Sequence, residues 1–292
     1  MVGVKVVEID SSDGSVIKLA PRILEWILIE MARRMAKPAN VKKRDRSRLG
    51  GKSMDLPVKT GLRFDAFALK LIAITAMAVD HIGALIYPEA LWLRVVGRLA
   101  MPIIAFLLVE GYHHTRHLGR YLLRLLVFAV LAQPVYRLVF PHGLNVFFDL
   151  LAGLCVIWAA ERIRSRWLLA GLLLAVGVAG FYVNLDWWHL GVWMIFVFHV
   201  TSGRFGWTVG ALGGLLLVNA GFFAFVSART GDPSYQLINF INLGCMLALP
   251  FLSRYNGQRG RDCRYLFYVF YPGHLLVIYA IRPLLERLGF GF

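Results

Sequence analysis

The chain has 292 residues, of which 58% are hydrophobic and 17% charged, with a mean hydropathy of +0.63 and a formal net charge of +15. A soluble domain of average make-up carries about 25% charged residues, so these figures exclude an ordinary soluble enzyme and indicate a polytopic membrane protein. Most of its arginines stand in short gaps between apolar runs, which assigns the basic charge to membrane topology and anionic lipid, with no role for nucleic acid.

Residues 1–60 read as a basic N-terminal extension, largely disordered or amphipathic. Val2 to Gly14 is mixed and acidic, without the apolar stretch of a signal peptide. Val16 to Met35 has the pattern of an amphipathic helix. The run KPANVKKRDRSRLGGK that follows has the charge and Pro/Gly content of a disordered segment. Met54 comes just after it and offers an alternative start.

Residues 61–292 form the expected transmembrane domain. Apolar runs fall near 66–87, 97–113, 121–140, 145–160, 167–183, 189–201, 206–227, 237–252 and 265–284. A spanning helix takes about 20 residues, so the reading is an all-α bundle of about nine spans. The loops containing Arg116 and Arg120, Arg162 to Arg166, Arg204, and Arg254 to Arg264 carry most of the basic charge. The opposite loops contribute mainly Arg94 and Arg229. The positive-inside rule then puts the N-terminus in the cytoplasm, and the expected location is a bacterial inner membrane. Cys155, Cys245 and Cys263 show no CxxC spacing, so a structural disulfide or zinc site is not expected.

Ionisable residues inside the apolar runs carry the functional signal. An acid at the centre of a membrane helix costs about 2.5–3.5 kcal/mol on insertion scales, yet the first run contains Asp80 and His81. Adjacent residues on a helix point about 100° apart, so these two do not face one partner. Arg98 enters the second run at a similar depth and is a candidate ion-pair partner for Asp80. Glu110, His113 and His114 end that run on one helical face, with a spacing that only weakly suggests a metal site. His113, His114, Arg116 and His117 read as a hydrated cytoplasmic rim or, functionally, as a cationic rim for the phosphates of a nucleotide-bearing donor. Asn145 and Asp149 form a polar stripe on the fourth run. In the last run Tyr271 and His274 share a face beside Pro272 and Gly273, where a kink is expected.

The segments LKLIAITAMAVDHIGALIYP, LRVVGRLAMPIIAFLLVEGYHHTR, RYLLRLLVFAVLAQPVY, LNVFFDLLAGL and LFYVFYPGHLLVIY together resemble the TraX family of conjugative-transfer proteins. Asp80 and His81, Gly97-Arg98 with Pro102, and Tyr271-Pro272 with His274 carry the resemblance over roughly residues 66–284. It implies an N-acetyltransferase that moves an acetyl group from acetyl-CoA to the N-terminal amine of a pilin subunit. It also implies a distant relation to multi-pass acyltransferases with an intramembrane histidine. No metal is expected. An α-amine, with a pKa of about 7.7–8.0, is far easier to deprotonate than a lysine at about 10.4.

The expected catalytic residues are His81, Asp80 and His274. The expected substrate-binding residues are Arg98, Glu110, His113, His114 and Tyr271. Either His81 or His274 fits the role of base, and His274 alternatively hydrogen-bonds the thioester carbonyl. Rival readings are acyl transfer to a cell-envelope glycan, a non-enzymatic pilus-assembly factor, and a transporter.

Overall fold

A computed structural model describes residues 63–262 and 265–287, so the expected N-terminal extension lies outside the described residues. The described residues are helical, in the order α1 (Ala66–Leu85), α2 (Leu91–Gly97), α3 (Ala100–His114), α4 (Leu118–Val139), α5 (Val146–Ala160) and α6 (Arg166–Tyr182). Then come α7 (Trp188–Val200), α8 (Phe205–Thr230), α9 (Ser234–Asn242), a 3-10 turn (Leu243–Ala248), α10 (Leu249–Leu252) and α11 (Leu266–Arg287). Among the described residues five segments are long and apolar enough to cross a membrane: α1, α2 with α3, α4, α8, and α9 through α10. Three apolar helices, α5, α6 and α7, are shorter, at 15, 17 and 13 residues. Leu131, Leu168, Leu217 and Val218 are exposed large hydrophobics on these helices, as a lipid-facing surface requires. The protein is a helical membrane protein.

Several boundaries follow from local chemistry. The side chain of Asp65 accepts a hydrogen bond from the Ala68 amide at 2.7 Å and caps α1. The side chain of Asn145 does the same for α5 through the Phe147 amide at 3.0 Å. Gly231, at φ 71°, closes α8 in the left-handed conformation that glycine adopts without strain.

Two of the expected continuous runs are interrupted instead. The helix expected over 97–113 starts earlier, at Leu91, and breaks at Arg98 and Leu99. Pro102 lacks the N–H that an unbroken helix would donate to the Arg98 carbonyl. The run near 237–252 passes through the 3-10 turn, and Pro250 removes the corresponding donor there. The two interruptions pack together. A Cβ on Gly244 would overlap the carbonyl oxygen of Val95, so glycine is what allows the 3-10 turn to reach α2. By contrast α11 continues unbroken through Pro272 and Pro283.

Helix α1 packs against α2, α3 and α11, and α7 packs against α3, α5, α6 and α8. The crossing of α1 on α2 is close. A Cβ added to Gly97 would overlap the Cα and Cβ of Asp80. At the same end, Asn145 Nδ2 donates to the Ala129 carbonyl at 2.8 Å and to Gln133 Oε1 at 2.7 Å, which ties α4 to the start of α5. The neighbouring Leu144 pairs through its backbone with the loop at Leu185.

Gly97→Ala therefore sits against backbone that has no room to give. We expect a loss of about 1–3 kcal/mol, read as a lower melting temperature in detergent. Gly214→Ala, with open space around it, should leave melting unchanged or raise it slightly. Equal behaviour of the two variants would refute the close crossing of α1 and α2.

Candidate functional site

Asp80 is 7% exposed, and the carboxylate has to be matched inside the bundle. Arg94 is the nearer partner. Its Nη1 donates to Asp80 Oδ2 at 2.6 Å and to the Asp80 carbonyl at 3.0 Å. The expected partner Arg98 is further away, with Nη1 3.6 Å from Oδ2. Its guanidinium lies over the Trp187 ring, 4.7 Å from the centroid. Arg94 and Arg98 are four residues apart, so both lie on the face of the α2 segment that meets α1.

His81 turns away from Asp80, as the helical geometry requires, and meets His274. Its Nδ1 lies 2.7 Å from His274 Nε2, and the rings stack 4.9 Å apart. The tautomers follow from the far side of His274. Its Nδ1 lies 2.8 Å from the Phe270 carbonyl, which only accepts, so Nδ1 carries the proton. In a neutral ring Nε2 is then the acceptor. His81 Nδ1–H donates to it, and His81 Nε2 keeps a lone pair for chemistry. His274 therefore fixes the tautomer of His81 and leaves His81 Nε2 without the proton. Phe140 and Tyr271 pack around His81 at 5.6 and 6.5 Å.

His81 lines a cavity of about 100 Å³ together with Asp80, Arg94, Arg98, Asp186 and Tyr271. A second, larger cavity of about 590 Å³ lies toward the opposite end of α1. Glu110, His114, Arg116, Arg124 and Arg259 line it, with the rings of Tyr121, Tyr255 and Tyr268. Ile104 lines both cavities. Arg124 Nε donates to Tyr268 Oη at 3.0 Å, and its guanidinium sits between the Tyr121 and Tyr268 rings. That contact holds a cation at the cavity wall.

The structure thus divides the expected substrate-binding residues. Arg98 and Tyr271 belong to the small cavity, and Glu110 and His114 to the large one. His113 lines neither and faces His199, with Nε2 3.2 Å from Nδ1. His114 Nδ1–H donates to the Glu110 backbone carbonyl at 2.8 Å. Among the described residues no three His, Cys, Asp or Glu converge as metal ligands.

Sequence reasoning missed Arg94, Asp186 and Tyr136. The spacing of Arg94 to Arg98 could have revealed the first. Asp186 stands three residues before His189, but His189 contacts Asn219 Oδ1 at 3.0 Å. Asp186 Oδ1 accepts a hydrogen bond from Tyr136 Oη at 2.9 Å. Burial is the main cause that raises the Asp186 carboxyl, to about 6, against the lowering effect of the Tyr136 hydrogen bond and of Arg98.

Removing Arg94 leaves Asp80 charged and poorly matched in a nearly closed site. Arg94→Ala should cost about 3–5 kcal/mol, and Asp80→Asn combined with Arg94→Met less than either change summed. A double-mutant cycle on melting in detergent should give a larger coupling for Asp80 with Arg94 than with Arg98. The reverse order would contradict the geometry.

Three comparisons place this arrangement. A family model described as "TraX protein" matches residues 66–282, which include Asp80, His81, Arg94, Asp186 and His274. The chain is similar to the probable fimbrial assembly protein FimC, serogroup H1, of Dichelobacter nodosus, at 34% identity over 248 residues, covering 76% of this chain and 98% of the relative. It is also similar to the uncharacterized protein RP591 of Rickettsia prowazekii (strain Madrid E), at 33% identity over 92 residues, covering 31% of this chain and 35% of that one. No solved structure matches. With the match running from the start of α1 almost to the end of α11, the chain belongs to the TraX family.

Proposed function

We propose that the protein is an integral-membrane acetyltransferase that moves an acetyl group from acetyl-CoA to the N-terminal amine of a pilin subunit. The family and the fimbrial relative support the coarser statement, a pilus-related role. One observation carries the finer one. A histidine with a free Nε2 stands in a small cavity that shares a wall residue, Ile104, with a large basic cavity.

In this reading the donor's phosphates lie against Arg116, Arg124 and Arg259, since guanidinium forks suit phosphate oxygens. The thioester end reaches past Ile104 toward His81. The acceptor amine attacks the thioester carbonyl, and His81 Nε2 takes the amine proton. The carbon–sulfur bond then breaks, the thiolate leaves, and the proton held on His81 returns to it as the thiol. His274 holds the His81 ring in the required tautomer. Asp80 with Arg94 fixes the turn of α1 that presents the base.

All nine apolar runs cross the membrane in this reading, from a cytoplasmic N-terminus in a bacterial inner membrane. Contacts between His113 and His199, and between Tyr112 and Glu161, gather the ends of α3, α5 and α7. The bond from the Ala66 amide to the Gln258 carbonyl, at 2.8 Å, brings the basic loop after α10 to the start of α1. The large cavity opens among these basic ends, where a cytoplasmic donor would arrive.

The paired interruptions of α2–α3 and α9–α10 favour a second reading, transport, because broken helices line substrate paths in many carriers. The chain has no visible internal repeat to go with them.

Intact-mass measurement of the host's pilin separates these readings. Wild-type protein should add one acetyl group. His81→Ala, at matched membrane level, should lower transfer by about 10²–10⁴. Arg124→Ala should raise the KM for acetyl-CoA about ten-fold with little change in kcat. Unmodified pilin in wild-type cells would reject the pilin acceptor. Full transfer by His81→Ala would remove that residue from the mechanism.

A further inference from the structure

Asp186 is the carboxylate of the small cavity that the site has not already used. The cavity holds two guanidiniums, Arg94 and Arg98, and two carboxylates, Asp80 and Asp186. Asp80 is engaged by both arginines through Oδ2, and its Oδ1 is buried out of reach of the cavity without a hydrogen-bond partner. Asp186 has a hydrogen bond from Tyr136 Oη on one oxygen only. The nearby buried Asp149 packs behind Gly191 and does not line the cavity.

The loop that carries Asp186 is built with unusual backbone. Asn184 and Trp188, two residues to either side, have φ of 54° and 49°. A left-handed residue with a bulky side chain costs about 1–2 kcal/mol, and such strain persists where the surroundings enforce it. They do so here. The Leu144 amide donates to the Asn184 carbonyl at 2.9 Å, and Trp188 Nε1 donates to Asn184 Oδ1 at 3.0 Å. A Cβ on Gly143 would meet that same carbonyl. Arg98 covers Trp187 on the other side. This bracing holds one short loop against the bundle and sets its single carboxylate in the cavity of His81.

We propose that Asp186 binds the amino group of the acceptor and makes the site selective for amines over hydroxyl acceptors. The proposal rests on the acetyl-transfer reading for its role in catalysis. At neutral pH most of an α-amine is protonated. An ammonium entering beside two guanidiniums needs a carboxylate oxygen free to accept its hydrogen bond, and Asp186, which lies within the field of both arginines but is hydrogen-bonded on one oxygen, is placed to supply it. The four cavity charges sum to zero, and without Asp186 the sum is +1, which repels an ammonium. A hydroxyl acceptor brings no charge and gains nothing from the carboxylate. Asp186 is in this sense a specificity-determining residue, with Tyr136 orienting it; the bound ammonium loses one proton to solvent before its nitrogen attacks, and His81 takes the second as the base.

The test uses the full chain in nanodiscs and two short peptides labelled with fluorescein at the C-terminus. One has a free N-terminal glycine and the other the same glycine acetylated. Anisotropy should show the wild type preferring the free amine by about ten-fold. Asp186→Asn, nearly isosteric, should bind both peptides alike, and Asp186→Glu should recover part of the preference. A purely structural role would weaken both peptides equally in Asp186→Asn and would overturn the proposal. So would a wild type without preference, or a preference that survives in Asp186→Asn. Acetyl transfer from radiolabelled acetyl-CoA to the free-amine peptide is measured on the same samples. Amine preference without transfer would sink the acetyl-transfer reading and leave Asp186 as the amine-binding residue.

Discussion

A buried carboxylate in an apolar bundle is the constraint on which this structure is organised. Asp80 lies too deep for water to solvate it freely, and charges in such surroundings have to be matched nearby. Matching it takes two arginines, and two arginines need a helix that crosses α1 within side-chain reach. Gly97 is what allows that crossing, because any Cβ there would meet the α1 backbone. Arg94 and Arg98 then frame Gly97 on either side, so the close contact and the ion pair form one unit.

From that unit the rest of the site follows. Once Asp80 is directed to α2, the helical twist sends His81 toward α11, where His274 waits at hydrogen-bonding distance. The Phe270 carbonyl dictates the His274 tautomer, and His274 dictates that of His81. The break after Arg98 matters as well. It lets Arg98 lie across Trp187 and hold the loop that bears Asp186. A buried ion pair is weak evidence of stabilisation. Here it acts as a register pin that aims a histidine and positions a loop.

The two cavities differ in size and in charge. The larger is basic, walled by tyrosines, and lies among loops rich in arginine. The smaller has balanced charges and contains the histidine with its lone pair. Ile104 is part of the wall of both.

Composition and the apolar runs by themselves determined that the chain is a helical membrane protein, because bilayer insertion depends on local hydrophobicity. The same local signal marked Asp80, His81 and His274 as costly and therefore meaningful, and their order along the chain carried the family resemblance. Helical spacing also foretold that Asp80 and His81 would look in different directions. The breaks beside Pro102 and Pro250 were less legible, since proline within a run either kinks or interrupts a helix, and neighbouring packing decides which. Only the tertiary structure decided that Arg94 outranks Arg98, that the two histidines face each other across 193 positions of sequence, and that a loop residue such as Asp186 folds into the cavity. Those choices depend on side chains from helices far apart in the chain, and no periodicity within one helix encodes the distance between two.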